Sequence, residues 1–343
     1  MIKKRLVALL SCVVILPVAA QQAATPSTSY ALKPEQLAIV VNDEDANSVA
    51  AGEYYRQAHN IPAANLVHVS ISGKPHKLDA ARFRELRQKI HSQITSQIQA
   101  FVLVWTAPYA VECNSITSAM TFGFDAAQCK NTCAPGKPNP YFDSESTTPY
   151  FDFAIRPSML LPVESLEQAK ALIDRGVVAG FQVRPASAYF VQTSDKARNS
   201  RVPFFPPAAN VPSKKLQIKP MRREFLDSAQ DIMIYQTGAI TVPKLETLRF
   251  LPGALADHLT SLGGDLLGQS QMSSLRWLEA GATASYGAVS EPCNYWQKFP
   301  QPTILLKHYL SGATALEAYL KSLAWPMQGL LIGDPLATPY RRN

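Results

Sequence analysis

Leu251-Pro-Gly-Ala-Leu-Ala-Asp-His-Leu-Thr-Ser-Leu-Gly-Gly264 is an apolar run that breaks into a turn of polar and small residues. Two runs of the same kind follow it, Ala280-Gly-Ala-Thr-Ala-Ser-Tyr-Gly-Ala-Val-Ser-Glu-Pro-Cys-Asn294 and Leu330-Leu-Ile-Gly-Asp-Pro-Leu336. A strand buried on both faces of a parallel sheet reads as a continuous apolar run. Open α/β sheets place their ligands beyond the carboxyl ends of such strands. Asp257, His258, Ser261, Ser285, Glu291 and Asp334 all fall just past these runs, which predicts one shared polar rim.

The same pattern appears toward the amino terminus. Leu37-Ala-Ile-Val-Val41 reads as a buried strand, and residues 48–58 read as a helix stopped at Asn60-Ile-Pro62, because proline cannot continue it. Residues 66–71 alternate like an outer strand. Phe83, Leu86, Ile90, Ile94 and Ile98 recur at helical spacing across 79–99, and Phe101-Val-Leu-Val-Trp105 is a further strand. The pattern resumes at 231–238 and ends in two helices, 304–310 and 315–323, before the last strand at 330–332. Strand alternating with helix predicts an α/β fold, a mainly parallel sheet flanked by helices.

Between these halves, residues 107–220 concentrate proline and hold three of the cysteines. Pro203, Pro206, Pro207 and Pro212 bar residues 200–215 from a central strand. The stretch reads as a loop-rich insertion able to form a wall or lid. The expected organisation is a signal peptide at 1–20, a flexible leader at 21–36, a first α/β half at 37–106, the insertion at 107–220, and a second half at 221–343 continuing the same sheet.

Met1-Ile-Lys-Lys-Arg5 is basic, residues 6–19 are apolar, and Val18-Ala-Ala20 precedes Gln21 like a cleavage site. The apolar run is too short for a membrane span. Leu9-Leu-Ser-Cys12 would suit a lipoprotein but leaves only residues 6–11 as the apolar core, so ordinary cleavage is favoured. An exported protein, periplasmic or secreted and without a stable membrane span after cleavage, is the expectation. Removing Lys3, Lys4 and Arg5 lowers the formal charge of +7 to about +4. The remaining basic residues form doublets and no stripe, which argues against nucleic acid.

Four cysteines remain after cleavage: Cys113, Cys129, Cys133 and Cys293. In an exported chain they suggest two disulfides, with three possible pairings. Cys129 with Cys133 would leave Cys113 for Cys293; alternatively Cys113 takes one of that pair and Cys293 stays free. No histidine stands near the pair at zinc-finger spacing, so no metal site is expected.

Several blocks resemble a family of exported bacterial proteins of unknown activity that accompany the exosortase protein-sorting and exopolysaccharide system. They are Val40-Val-Asn-Asp-Glu-Asp45, Tyr54-Tyr-Arg56 with Asn60-Ile-Pro62, the 252–261 and 280–293 blocks, Lys298-Phe-Pro300 and Ile332-Gly-Asp-Pro-Leu336. A more distant resemblance is to the caspase-like fold of gingipain-type cysteine peptidases. It implies a histidine after one strand and a nucleophilic cysteine after the next. Here the matching strands end in Gln236-Thr-Gly238 and in Ala254-Leu-Ala-Asp-His258, so neither member of the dyad is in place. The resemblance implies the fold and not proteolysis.

Among the catalytic candidates, Asp257 beside His258, with Ser261 or Ser285, would make an acid, base and hydroxyl set. Neighbours on a strand point to opposite faces, so this set requires the backbone to turn at Asp257. The plainer reading is that Asp257 or Thr260 caps a helix and His258 packs at its start. Glu291, fixed by Pro292, would aim a carboxylate at the rim or pair with Lys298. Asn42, Asp43 and Asp45 could bind a cation or polar ligand through oxygen, or simply form a turn and helix cap. Thr237 and Gly238 complete the ligand-facing candidates. No cofactor is indicated. The expected function is an accessory of an envelope sorting or exopolysaccharide system, binding or processing a polypeptide or another envelope component without a Cys-His dyad. A hydrolase built on His258 and a structural envelope protein are the alternatives.

Overall fold

The computed structural model describes residues 31–180 and 183–341. The expected signal peptide and its cleavage site lie outside these residues. In the first part the elements are β1 (Leu37–Asn42), α1 (Ala46–Ala58), β2 (Leu66–Val69), β3 (Lys77–Leu78), α2 (Ala80–His91) and β4 (Ala100–Val104). Then come β5 (Ala110–Val111), β6 (Asn114–Ser115), α3 (Ile116–Phe122), α4 (Ala126–Lys130), α5 (Pro149–Phe153), β7 (Ser158–Leu161), α6 (Leu166–Val178), β8 (Ala186–Gln192), β9 (Ala209–Val211) and β10 (Leu216–Arg222). The last part holds β11 (Ile232–Gly238), β12 (Phe250–Leu259), α7 (Leu275–Glu279), β13 (Ala284–Ala288), α8 (Pro302–Leu310), α9 (Ala315–Lys321) and β14 (Gly329–Gly333).

Among the described residues the central sheet has 11 strands in the order β2-β1-β4-β7-β14-β13-β12-β11-β8-β10-β9. It is mostly parallel and flanked by helices, as the apolar runs predict. Every residue of β1 and β4 is buried, which is why both read as unbroken apolar runs. The helices carry their own start signals. Asp45 caps α1 by accepting from Asn47 N, and Asp79 caps α2 by accepting from Ala81 N and Arg82 N. Phe83, Leu86 and Ile90 form the buried stripe of α2. The helix ends at His91, short of the 79–99 span that the apolar spacing suggests.

Three expectations need correction. First, residues 107–220 are woven into the sheet and supply β7, β8, β9 and β10. Their strands escape notice because they are short or carry polar residues, as in Ala186-Ser-Ala-Tyr-Phe-Val-Gln192. Residues 200–215, rich in proline, do supply only the edge strand β9. Second, β14 runs antiparallel to β13, pairing Ala284 with Gly333 and Ala288 with Gly329. Asp334 therefore lies level with the start of β13, donating its N–H to Thr283 O at 3.0 Å. It does not share the rim at the ends of β12 and β13.

Third, the disulfides join Cys113 to Cys129 and Cys133 to Cys293. Neither the Cys129–Cys133 loop nor a free Cys293 is present. Cys129 sits on α4 and faces the 113–114 turn, where its Sγ accepts from Cys113 N. Cys133 lies past the end of α4, against the loop that follows β13. Four residues apart in sequence, the two point to different neighbours.

The stretch expected to be a flexible leader is docked where it is described. Leu32 is buried, and its N–H donates to Glu317 Oε2 at 3.1 Å.

Candidate functional site

β12 bulges at its start, where Gly253 takes φ +87° and the register against β11 slips. It then runs straight to Leu259, so the backbone does not turn at Asp257. Asp257 pairs in register with Gln236 and Tyr286, while His258 pairs with Thr237. Alternation along the strand sends Asp257 and His258 to opposite faces of the sheet. The acid, base and hydroxyl set is not brought together, because each residue is engaged elsewhere.

On its own face, Asp257 is fully buried and meets Arg201, which is 2 % exposed. Arg201 Nη1 donates to Asp257 Oδ1 at 2.5 Å and to Pro300 O at 3.3 Å, and Nη2 donates to Thr237 O at 2.8 Å. Gln236 Nε2 donates to the other carboxylate oxygen at 2.9 Å. Burial pushes the Asp257 carboxyl up, against the opposing pull of Arg201 and Gln236. The pair pins the segment after β8 across the ends of β11 and β12.

On the other face, both ring nitrogens of His258 are occupied. Trp277 Nε1–H donates to Nδ1 at 2.9 Å, and Nε2–H donates to Met272 O at 3.1 Å. That arrangement requires the neutral ring. Burial pushes its pKa down to about 3, with Arg201 and Arg198 adding to the shift and the Met272 bond opposing it. A general base needs a free lone pair within reach of its proton donor. Here the only lone pair already accepts from an indole.

The remaining candidates are dispersed. Ser285 is buried within β13, beside Ala256, and its Oγ has no hydrogen-bond partner. Gly287 lets the 263–264 turn press onto the strand: a Cβ there would lie 2.2 Å from the Gly263 carbonyl carbon. The small residues of this block thus serve backbone packing. Ser261 is half-buried in that turn. Exposed Glu291 accepts from Cys293 N at 2.8 Å and closes a local turn. Lys298 is buried and donates to Thr132 O at 2.6 Å. Its pKa is lowered to about 8 by burial, with the nearby Glu291 charge acting the other way.

Thr237 and Gly238 end β11 underneath the same overlying segment. Gly238 O accepts from Thr193 Oγ1 at 2.7 Å, and a Cβ on Gly238 would lie 2.0 Å from Arg198 O. No ligand space remains between them.

Asn42, Asp43 and Asp45 lie at the end of β1, five strand spacings from β12, about 24 Å. Asn42 Oδ1 accepts from Ile71 N at 2.8 Å, Asp45 caps α1, and Asp43 meets His68 at 2.6 Å on the surface. These are turn, cap and surface-pairing roles. Among the described residues, no group of three or more His, Cys, Asp or Glu is arranged to hold a metal ion.

Asp334, at the opposite rim, accepts from Tyr55 Oη at 2.9 Å and meets His59 Nε2 at 2.8 Å. It thereby ties the carboxyl-terminal turn to α1. A cavity of about 270 Å³ opens beside His59, and another of about 240 Å³ lies between α6 and α7.

Arg201 is the residue that reading the sequence misses. It stands 56 positions from Asp257, in a proline-rich stretch with no periodic signal. A lone arginine there carries nothing that distinguishes it from a solvated one.

No protein-family model and no curated protein matches the chain. Among solved structures it is similar to one described as a protease and to the Arg-specific cysteine proteinase gingipain R. Each is 11 % identical with a TM-score of 0.46, the match covering 91 % of this chain and 80 % of the other. No chemistry transfers at that distance.

Proposed function

We propose that this chain is an exported, non-proteolytic accessory protein of an envelope sorting or exopolysaccharide system, which binds a polypeptide without cleaving it by a cysteine mechanism. The observation that carries the reading is the occupation of the expected catalytic groups. All four cysteines among the described residues are paired, and His258 is closed on both nitrogens. Thiolate attack needs a free, activated sulfur beside an imidazole. The two disulfides agree with an oxidising compartment. Among the described residues no helix is long and apolar enough to cross a membrane.

The test is labelling and turnover on the unreduced mature protein. Iodoacetamide and a fluorophosphonate probe are expected to leave it unlabelled, and a peptide library is expected to show no new termini after incubation. Peptide cleavage that iodoacetamide abolishes would sink the reading and restore a cysteine nucleophile. Fluorophosphonate labelling of Ser261 or Ser285 would instead establish the serine hydrolase alternative.

One observation favours a second reading, a structural envelope protein without a ligand at this rim. Arg201 and the segment around it fill the space over β11 and β12. Saturable binding of a polypeptide, lost when surface residues of the 193–207 segment are changed, separates the two.

A further inference from the structure

Two arginines and a histidine gather around the carboxyl-terminal end of α2, away from the rim just described. Arg87 and His91 lie four residues apart on α2 and so share a face. Arg156, buried at 7 % exposure, joins them from the segment before β7. Its Nη1 lies 3.5 Å from His91 Nδ1, and its Nε donates to Ile98 O at 2.8 Å. Its guanidinium carbon sits 3.4 Å above the centre of the Tyr150 ring.

Proton placement follows from these contacts. A guanidinium can only donate, so His91 Nδ1 accepts and the neutral ring carries its proton on Nε2. Nε2 is buried and finds no acceptor, and neither does the buried Nε–H of Arg87. Two buried donors therefore lack acceptors, and such groups are costly to leave unmade. Neither arginine forms an ion pair with a carboxylate among the described residues. Burial lowers the pKa of Arg87, and that of Arg156 is lowered by burial and by its like-charged neighbour Arg87, with Tyr150 opposing. His91 is pushed down to about 4 by burial and then by both arginines. The carbonyl end of α2 offsets part of this positive charge but fills neither vacant donor.

We propose that Arg87, His91 and Arg156 form a binding site for a single oxyanion group, a phosphate, sulfate or carboxylate. Such a group brings several lone pairs to the two vacant donors and lies between guanidiniums that otherwise repel. An ordered water can accept one of those bonds but leaves the repulsion in place. Phe151, 56 % exposed beside Tyr150, offers the carrier of the anion an aromatic surface to rest on.

The experiment is calorimetric titration of the mature chain with sodium phosphate, sulfate and acetate at constant ionic strength, with chloride as the control. Saturable one-to-one binding of at least one oxyanion, and none of chloride, is expected. Arg87→Met should weaken it at least about tenfold, the value of a charge-assisted bond, and Arg87→Lys should recover part of the loss. Binding by phosphate and sulfate but not acetate would identify a tetrahedral group, and binding by acetate alone a carboxylate. His91→Gln, titrated in parallel, should also bind less tightly, which covers a failure of Arg87→Met to fold. Nitrogen NMR of His91 should show its pKa rising when the anion is bound. Absence of saturable binding by all three anions, or unchanged affinity in a folded Arg87→Met protein, overturns the proposal and leaves water as the occupant.

Discussion

Replacing Arg201 with methionine should destabilise the fold by about 4 kcal/mol, within the range of roughly 3–5 for removing one partner of a buried ion pair. Both partners are almost fully excluded from water, at 2 % and 0 % side-chain exposure. Without Arg201, Asp257 retains the Gln236 amide and the Tyr319 hydroxyl but no cation, and the carbonyls of Thr237 and Pro300 each lose a donor. Most of the cost is the stranded charge, so the double variant Arg201→Met/Asp257→Leu should lose less than Arg201→Met alone. The two carbonyls that lose Arg201 and the Gln236 amide that loses Asp257 keep its loss at roughly 1–3 kcal/mol. Urea unfolding without reductant, followed by tryptophan fluorescence, reads these differences through the midpoint at constant slope. Trp277 is a suitable reporter, since it packs beneath β11 against Tyr235, with ring centroids 5.0 Å apart. A loss below about 1 kcal/mol for Arg201→Met, where surface pairs lie, would refute the reasoning. Asp257 would then be protonated in the native state, and the pair would not be what holds the segment over the rim.

Acid should weaken the fold through His258. Its folded pKa of about 3 lies below the ordinary 6.5, so its contribution is complete above pH 6.5 and is lost as pH falls toward 3. At pH 4.5 about 3 kcal/mol should be gone, and His258→Gln should flatten stability against pH by that amount when unfolding is measured from pH 7 to 4.5. Peptide mapping of the unreduced chain should recover Cys113 linked to Cys129 and Cys133 linked to Cys293. Removing the second bridge, which spans 160 positions against 16, should cost about 5 kcal/mol against about 3 for the first on the loop-entropy model. Gly287→Ala should cost about 1–3 kcal/mol, as overpacking does, because the added methyl meets the 263–264 backbone; a midpoint equal to wild type in the same urea assay counts against that close approach.

Several features are legible in the chain because they are local. Leu37-Ala-Ile-Val-Val41 and Phe101-Val-Leu-Val-Trp105 announce buried parallel strands by leaving no polar face. Asp45 and Asp79 mark helix starts because their carboxylate oxygens accept from the first free N–H groups. Gly281 to Gly287 signals close packing through side chains too small to keep neighbours away. The candidate site was less legible. Asp257 and His258 are adjacent and chemically suggestive, yet whether they cooperate depends on where β12 stops. That is set by pairing with Thr237 and Gly238 on β11, contacts some twenty positions away.

The sequence by itself determined that this is an α/β protein with buried parallel strands, and that the small residues within 281–287 admit a close neighbour. Periodicity and side-chain size act over a few residues, so they survive in the linear order. Only the tertiary structure decided that β14 runs backward and carries Asp334 to the far rim, and that Cys133 reaches Cys293. It also decided that Arg201 crosses the sheet end to meet Asp257. Each is a meeting of distant segments whose free energy comes from burial and charge compensation, and neither quantity exists until the chain has folded.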